Sequence, residues 1–197
     1  MTPIAALARL VGFGLLATAV GAGVRSAAPG GSLGWDAFRA LCAQWAQLWG
    51  LPAAILMTVG IIESSLHPGM TEITDPRAAS RGGSWGLFGM TQKTAAGLLA
   101  EHPPLAAQPA AKAWNGSGAS LHDPTLAAML ASFHLATLWH KYGSFLPTVA
   151  AYQQGTGPVD AVLARGGNLA TDLPPHGREY VARAQKAYAE LSSRGDA

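Results

Sequence analysis

Glu63 is the residue of this sequence best suited to acid–base chemistry. It follows the apolar run AAILMTVGII, and a carboxyl group beside such a run either faces water or lies in a partly dry cleft. In a cleft, burial disfavours the charged carboxylate and raises its pKa, which suits a general acid near neutral pH. A solvated glutamate on a helix exterior is the commoner situation, so Glu63 alone leaves both interpretations open.

Few other groups offer chemistry. His67, His134 and His140 have no partners at metal-ligand spacing, so we interpret them as solvated or core histidines and predict neither a metal nor a cofactor. The single cysteine, Cys42, excludes an internal disulfide and a cysteine-based zinc site. A net charge of +2 without a basic run argues against nucleic-acid binding.

Glu63 opens a series of four short motifs. Residues 63–68 read ESSLHP, 84–91 read SWGLFGMT, 149–155 read VAAYQQG and 178–181 read REYV. In this order and in helical context, they resemble the lytic transglycosylases with a soluble-transglycosylase catalytic domain, a branch of the lysozyme-like superfamily. The resemblance covers roughly residues 36–190.

The resemblance implies a substrate and a site. The substrate is the glycan strand of peptidoglycan, and Glu63 is the catalytic residue. Tyr152 is interpreted as directing its hydroxyl at Glu63 or the substrate, with ordinary aromatic core as the alternative, and Tyr180 has the same two interpretations. Trp85 is a candidate for stacking on a sugar face. The residues predicted to bind glycan are Ser64, Trp85, Gly86, Leu87, Phe88, Tyr152, Gln153 and Tyr180.

The resemblance also implies a reaction that needs one carboxyl group. Glu63 protonates the glycosidic oxygen between N-acetylmuramic acid (MurNAc) and N-acetylglucosamine (GlcNAc), then takes the proton of the MurNAc C6 hydroxyl. That hydroxyl closes a 1,6-anhydro ring, and an intramolecular nucleophile has a high effective molarity. Such enzymes open the wall locally for secretion systems, pili or phage injection assemblies, which are the partners we expect besides the glycan.

Four positions depart from the family pattern. The glutamine after Gly-Leu-Met falls on Gly89, and the asparagine and alanine before the last glycine of the third motif are Gln153 and Gln154. Where the family has a proline at the start of the helix after the second motif, this chain has Gln92. We therefore expect the core chemistry to be kept and sugar recognition to differ.

Two alternatives remain open. A hydrolase like the goose-type lysozymes needs a second acid to position water, for which Glu72, Asp75 and Asp123 are available. A catalytically weak, wall-binding component of a secretion or phage machine is the other, favoured only by the departures at Gly89 and Gln153.

Helical signals dominate the chain and predict an all-α, lysozyme-like domain of six or seven helices over 35–197. We expect helices at 35–49, from Pro52 to about Leu66, from a Thr91 cap to about His102, from an Asp123 cap to near Gly143, at 145–154 and at about 175–193. Residues 67–89 are predicted to form a long loop.

The N-terminal residues predict an export signal or membrane anchor. Residues 10–24 carry no charge and lie between Arg9 and Arg25, a pattern typical of residues 1–25 acting as a signal peptide or an inner-membrane anchor. Residues 26–34 are predicted to be a flexible linker. The protein is therefore expected to be exported, either periplasmic or anchored through membrane contact, with a phage virion as the alternative.

Length and composition limit the number of domains and the class of protein. The chain has 197 residues, of which 49% are apolar and 12% charged. This length suits one domain with a sizeable core, and the composition excludes a disordered chain.

Overall fold

The computed structural model describes residues 33–66, 71–72 and 83–196, which are mostly helical. The helices are α1 (Trp35–Trp49), α2 (Ala53–Ser64), α3 (Gln92–Glu101), α4 (Pro103–Ala106), α5 (Pro124–Tyr142), α6 (Phe145–Gln154), α7 (Thr156–Ala164), α8 (Leu169–Asp172) and α9 (Pro175–Ser193). Two 3-10 helices, Pro109–Ala113 and Gly118–His122, precede α5. The predicted helical character of the domain is confirmed.

Helix α5 is the centre of the fold. It packs against α1, α2, α3 and α6, and nearly every side chain from Leu126 to Ala136 is buried. Its ends follow from local chemistry, because Asp123 Oδ1 accepts hydrogen bonds from Thr125 N at 2.9 Å and Leu126 N at 2.8 Å. Gly143 ends the helix in the left-handed conformation, as predicted.

Helices α1 and α2 approach closely at Gly60. A β-carbon there would lie 2.8 Å from the Phe38 ring, so only glycine fits at this helix contact. Phe38 stacks in turn on Phe88, with ring centres 6.5 Å apart. This packing brings the C-terminal part of α2 beside the turn that contains Phe88.

Helix α2 ends at Ser64, two residues before the predicted end at Leu66. Ser65 and Leu66 have φ angles of 49° and 68°, in the left-handed region that stops a helix of L-residues. Ser64 fixes this end, because its hydroxyl donates to Gly60 O at 3.0 Å and accepts from Leu66 N at 3.2 Å. Glu63 therefore lies in the last turn of the helix.

The predicted loop over 67–89 contains part of a small antiparallel sheet, which corrects the expectation that these residues form only a loop. Strands β1 (Thr71–Glu72), β2 (Ser84–Trp85) and β3 (Met90–Thr91) pair in the order β1-β2-β3. Glu72 is opposite Ser84, and Ser84 is also opposite Thr91. Strands of two residues are too short to show alternating hydrophobicity, so the sequence gives no sign of them.

The C-terminal helices form a second layer. Helix α9 packs against α2, α6 and α8, and buries Tyr180 and Val181 in its first half. Helices α7 and α8 were not predicted. Both are short, and the glycines at 155, 157, 166 and 167 around them are typical of loops.

The domain begins earlier than predicted. Leu33, which the sequence assigns to the linker, is buried, and its N–H donates to Leu66 O at 2.8 Å. The predicted signal or anchor over 1–25 lies outside the described residues. In the part of the chain that the structure describes, no helix is long and apolar enough to cross a membrane.

Candidate active site

Glu63 stands where α2 leaves the core. The helix is buried from Ala54 to Gly60, whereas Ile61, Ile62 and Glu63 are only partly buried. Its last turn faces α9 on one side and the turn between β2 and β3 on the other. The residue is thus half-buried between these two neighbours, which favours the partly dry cleft of the two interpretations.

Tyr180 holds one oxygen of this carboxyl group. Its hydroxyl donates a hydrogen bond of 2.7 Å to Glu63 Oε1, and the tyrosine side chain is 1% exposed. Burial raises the pKa of the Tyr180 phenol well above its usual value, and the charge of Glu63 raises it further. The phenol therefore keeps its proton and remains a donor. Of the two interpretations of Tyr180, the structure supports a hydroxyl directed at Glu63.

Gly89 lies against the other oxygen. A β-carbon at Gly89 would come 2.9 Å from Glu63 Cδ and closer still to Oε2, so no side chain fits here while Glu63 keeps its position. Gly89 has a φ angle of 57°, and Ser84 Oγ donates to its carbonyl oxygen at 2.6 Å. Ser84 thus fixes the turn on which the carboxyl group rests. These roles of Gly89 and Ser84 were not predicted from the sequence.

Tyr152 supports the same turn from the other side. Its hydroxyl donates to Phe88 O at 2.8 Å, which corrects the expectation that this hydroxyl is directed at Glu63 or the substrate. Burial raises the pKa of Tyr152 well above the usual value, and the nearby charge of Glu63 adds to this effect. The Tyr152 ring is tilted against His134, with centres 5.4 Å apart, and burial lowers the pKa of His134 to about 4.

Residues 86–88 shape the turn from within. A β-carbon at Gly86 would come 2.8 Å from the carbonyl carbon of Leu121, and its φ angle is 71°, so glycine is required. Leu87 and Phe88 are fully buried core side chains. The prediction that Leu87 and Phe88 bind glycan is therefore wrong for their side chains, which do not reach the surface, and Gly86 has no side chain to offer.

Ser64 also needs correction. It is 1% exposed, and its hydroxyl is used within the end of α2, so it does not contact substrate. The hydrogen bonds of Ser64 at the end of α2 explain why a serine is buried beside Glu63.

Trp85 and Gln153 are accessible to a ligand. Trp85 is half-buried against Gly118, with its ring 5.5 Å from that of His122. Because neighbouring residues of a strand point to opposite faces, Trp85 faces away from the side on which Ser84 meets Gly89. Gln153 is half-buried and is hydrogen-bonded to His176 and Gln154. Both residues remain predictions as glycan contacts.

A single carboxyl group in this setting suits proton transfer. One oxygen accepts a hydrogen bond from the Tyr180 phenol. The other lies against the turn between β2 and β3, which cannot move away without breaking the hydrogen bond from Ser84 to Gly89 O. Such a group can give up and take back a proton with little reorganisation. Within residues 33–66 and 83–196, no three His, Cys, Asp or Glu side chains are grouped as a metal site.

A scan against protein-family models matches residues 40–173, about two thirds of the chain, to the family described as the transglycosylase SLT domain. The match covers Glu63, the β2–β3 turn and Tyr152, and it ends before α9. Tyr180 is therefore placed at the site by the structure and not by the match. A search of curated proteins found no match.

Proposed function

The chain belongs to the transglycosylase SLT domain family, and from this membership we propose that it cleaves the β-1,4 bond between MurNAc and GlcNAc without water, leaving a 1,6-anhydroMurNAc end. The family assignment itself identifies a lytic transglycosylase of the lysozyme-like superfamily that acts on peptidoglycan. The bond, the product and the residue roles are our proposal.

Glu63 acts twice in the proposed reaction. The protonated carboxyl group donates its proton to the glycosidic oxygen while the bond from that oxygen to the MurNAc C1 breaks. The ionised carboxylate then accepts the proton of the C6 hydroxyl, whose oxygen forms a bond to C1. The proton that Glu63 donated leaves on the hydroxyl of the released GlcNAc, the C6 proton restores the acid form of Glu63, and no water is consumed.

The observation that carries this proposal is the hydrogen bond from Tyr180 to Glu63 Oε1 at 2.7 Å. A phenol that keeps its proton stabilises the ionised carboxylate between the two steps and holds its plane. The carboxyl group stays in place while it changes from acid to base. This arrangement supports chemistry on one carboxyl group.

Less evidence supports the alternative of a hydrolase, which needs a second acid to position water. Asp123, one of three candidates, has its Oδ1 occupied by two backbone N–H groups at the start of α5. Its role is that of a helix cap. Of the other two candidates, only the backbone of Glu72 is described, opposite Ser84, and Asp75 lies outside the described residues.

The test is digestion of purified sacculi in ¹⁸O-labelled water, followed by mass spectrometry of the released muropeptides. We expect anhydro ends without ¹⁸O from the wild-type enzyme, and a loss of about 10²- to 10⁴-fold in rate for Glu63→Gln. The glutamine can still accept the Tyr180 hydrogen bond, so its unfolding midpoint should remain close to the wild-type value. Reducing ends that carry ¹⁸O would identify a hydrolase, and sacculi bound but left intact would identify a wall-binding component.

We propose further that the enzyme is exported and opens the wall locally, since its substrate lies outside the cytoplasmic membrane. A periplasmic or membrane-anchored enzyme is supported by the apolar residues 10–24 between two arginines. Cell fractionation with intact-mass measurement of the mature protein distinguishes cleavage after export from anchoring. Recovery of the full-length chain in the cytoplasmic fraction would contradict export.

A further inference from the structure

Arg183 connects α9 to the helix that carries Glu63. Its Nη1 donates a hydrogen bond of 3.3 Å to Ile62 O, the carbonyl directly before Glu63. Its guanidinium carbon also lies 5.5 Å from the centre of the Tyr180 ring, one turn earlier in α9. One exposed side chain thus contacts both the backbone before Glu63 and the ring of the tyrosine that binds its carboxyl group.

The carbonyl that Arg183 binds lies at the end of a helix, where partners are scarce. The last carbonyls of an α-helix have no partner within the helix and form the negative end of its dipole. In α2, Ile61 O accepts from Ser65 N, and the left-handed Ser65 and Leu66 carry the chain away from Ile62 O. Arg183 donates a hydrogen bond to this carbonyl and brings a positive charge with it.

A positive charge at this place acts on Glu63 in two ways. The negative end of the helix dipole disfavours a carboxylate in the last turn, and a cation there offsets it. The same cation lies over the Tyr180 ring, where it makes the phenol a stronger hydrogen-bond donor. Both effects favour the ionised carboxylate that forms when Glu63 gives up its proton in the first step.

We propose that Arg183 is a positioning residue of the active site, which fixes the backbone at Glu63 and the ring of Tyr180 so that the carboxyl group can act as acid and base. This proposal rests on the proposed function for its kinetic consequence. The contacts themselves do not depend on which glycan product forms.

Helix α9 offers a matched control. Arg178 is also exposed, and its Nη1 donates to a backbone carbonyl at the end of another helix, Thr171 O, at 3.2 Å. In the part of the chain that the structure describes, no hydrogen bond or ring contact joins Arg178 to Glu63 or Tyr180. Arg178→Gln therefore removes the same kind of hydrogen bond and the same charge from the same helix, without touching the catalytic pair.

The kinetic experiment compares Arg183→Gln, Arg183→Lys and Arg178→Gln on soluble peptidoglycan chains. We expect kcat of Arg183→Gln to fall about three- to ten-fold with KM unchanged, the range of a charge at a helix end. Lysine keeps a donor and the charge, so it should recover most of this loss, and Arg178→Gln should match the wild type. A rise in KM with kcat unchanged, or an equal loss in Arg178→Gln, would overturn the proposal.

Hydrogen–deuterium exchange provides a readout without turnover. The amides in the last turn of α2 should exchange faster in Arg183→Gln than in the wild type or Arg178→Gln, because the carbonyl at Ile62 loses its partner. Equal exchange in all three proteins would overturn the proposal even if no anhydro product were ever found. A wild type that yields reducing ends would refute the proposed reaction and leave the role of Arg183 standing.

Discussion

The α-carbon of Gly89 lies so close to the carboxyl group of Glu63 that a side chain at residue 89 would displace this group. A β-carbon on Gly89 would lie 2.9 Å from Glu63 Cδ, well inside van der Waals contact. The related family carries glutamine where this chain has Gly89. Here the absence of a side chain is a requirement for the position of the Glu63 carboxyl group.

Gly89→Ala should therefore reduce activity by displacing Glu63. Alanine costs backbone strain at a φ angle of 57° and also forces the carboxyl group away from the turn. We expect kcat to fall at least about tenfold, since about 1.4 kcal/mol of lost transition-state stabilisation suffices for that. Turnover of soluble glycan chains measures this effect.

Gly143→Ala separates strain from displacement. Gly143 has a similar φ angle of 64°, but a β-carbon there meets nothing within 4 Å. Both variants should lose about 1 kcal/mol of unfolding free energy. If Gly143→Ala were as inactive as Gly89→Ala, displacement of Glu63 would not be the cause.

Tyr180→Phe should impair catalysis more than stability. It removes the phenol that donates to Glu63 Oε1 at 2.7 Å and leaves the ring in place. Hydrogen bonds to charged groups contribute about 1.5–3 kcal/mol, so kcat should fall about 10- to 100-fold. Steady-state kinetics and thermal unfolding of the same preparation distinguish the two effects.

Tyr152→Phe is the companion variant. Its hydroxyl bonds to Phe88 O rather than to Glu63, so its loss should cost about 1 kcal/mol of stability. We expect at most about a threefold fall in kcat, or roughly 0.6 kcal/mol. A larger fall in kcat for Tyr152→Phe than for Tyr180→Phe would show that the two tyrosines have exchanged the roles assigned to them.

Much of the helical framework could be predicted because its ends carry specific local chemistry. Thr91 caps α3 through Thr94 N, Asp123 caps α5, and Gly50 ends α1 in the left-handed conformation. Such signals depend only on neighbours in the sequence. The short strands and helices α7 and α8 are stabilised by tertiary packing and leave no comparable pattern.

The site was predictable only in part, for a different reason. Glu63 was singled out because a carboxyl group beside an apolar run is unusual, and Tyr180 because it lies in the fourth motif of the family resemblance. Whether a motif residue touches substrate or fills the core depends on which side of the turn faces inward, which needs the fold. For that reason the sequence alone could not show that Ser64, Leu87 and Phe88 are core residues. Ser84 was not predicted because a serine in a glycine-rich loop is not distinctive.

Acidic conditions should destabilise the domain through His134. Burial lowers the pKa of His134 to about 4 from 6.5, so the unfolded chain binds a proton that the folded chain does not between these values. Stability is unaffected by this group above about pH 6.5 and falls as the pH drops toward 4, by up to about 3 kcal/mol. Urea unfolding at pH 7 and pH 4 measures the loss.

His134→Leu should remove most of this pH dependence while keeping an apolar contact with Tyr152. His140 is exposed on the same helix, so His140→Gln should behave like the wild type. If His134→Leu lost as much stability on acidification as the wild type, the buried imidazole would not be responsible.

The last prediction concerns a second carboxyl group. A nucleophile would have to lie about 5–5.5 Å from Glu63 across the sugar, and a water-activating base about 6.5–9.5 Å away. Strand pairing brings the backbone of Glu72 opposite Ser84, whose hydroxyl holds the turn under Glu63. Glu72 is therefore the first acid to test, and Asp75, three residues further along, is the second.

Glu72→Gln and Asp75→Asn should each retain most of the cleavage activity and release anhydro ends. The proposed reaction requires no second acid, because the C6 hydroxyl is held near C1 by the sugar itself and needs only the base that Glu63 becomes. Loss of a true water-activating base lowers the rate about 10²-fold or more. A variant whose rate falls by less than about fivefold therefore does not lack such a base. If either variant were as inactive as Glu63→Gln while the wild type released reducing ends containing ¹⁸O, the acid concerned would be activating water, and the enzyme would be a hydrolase.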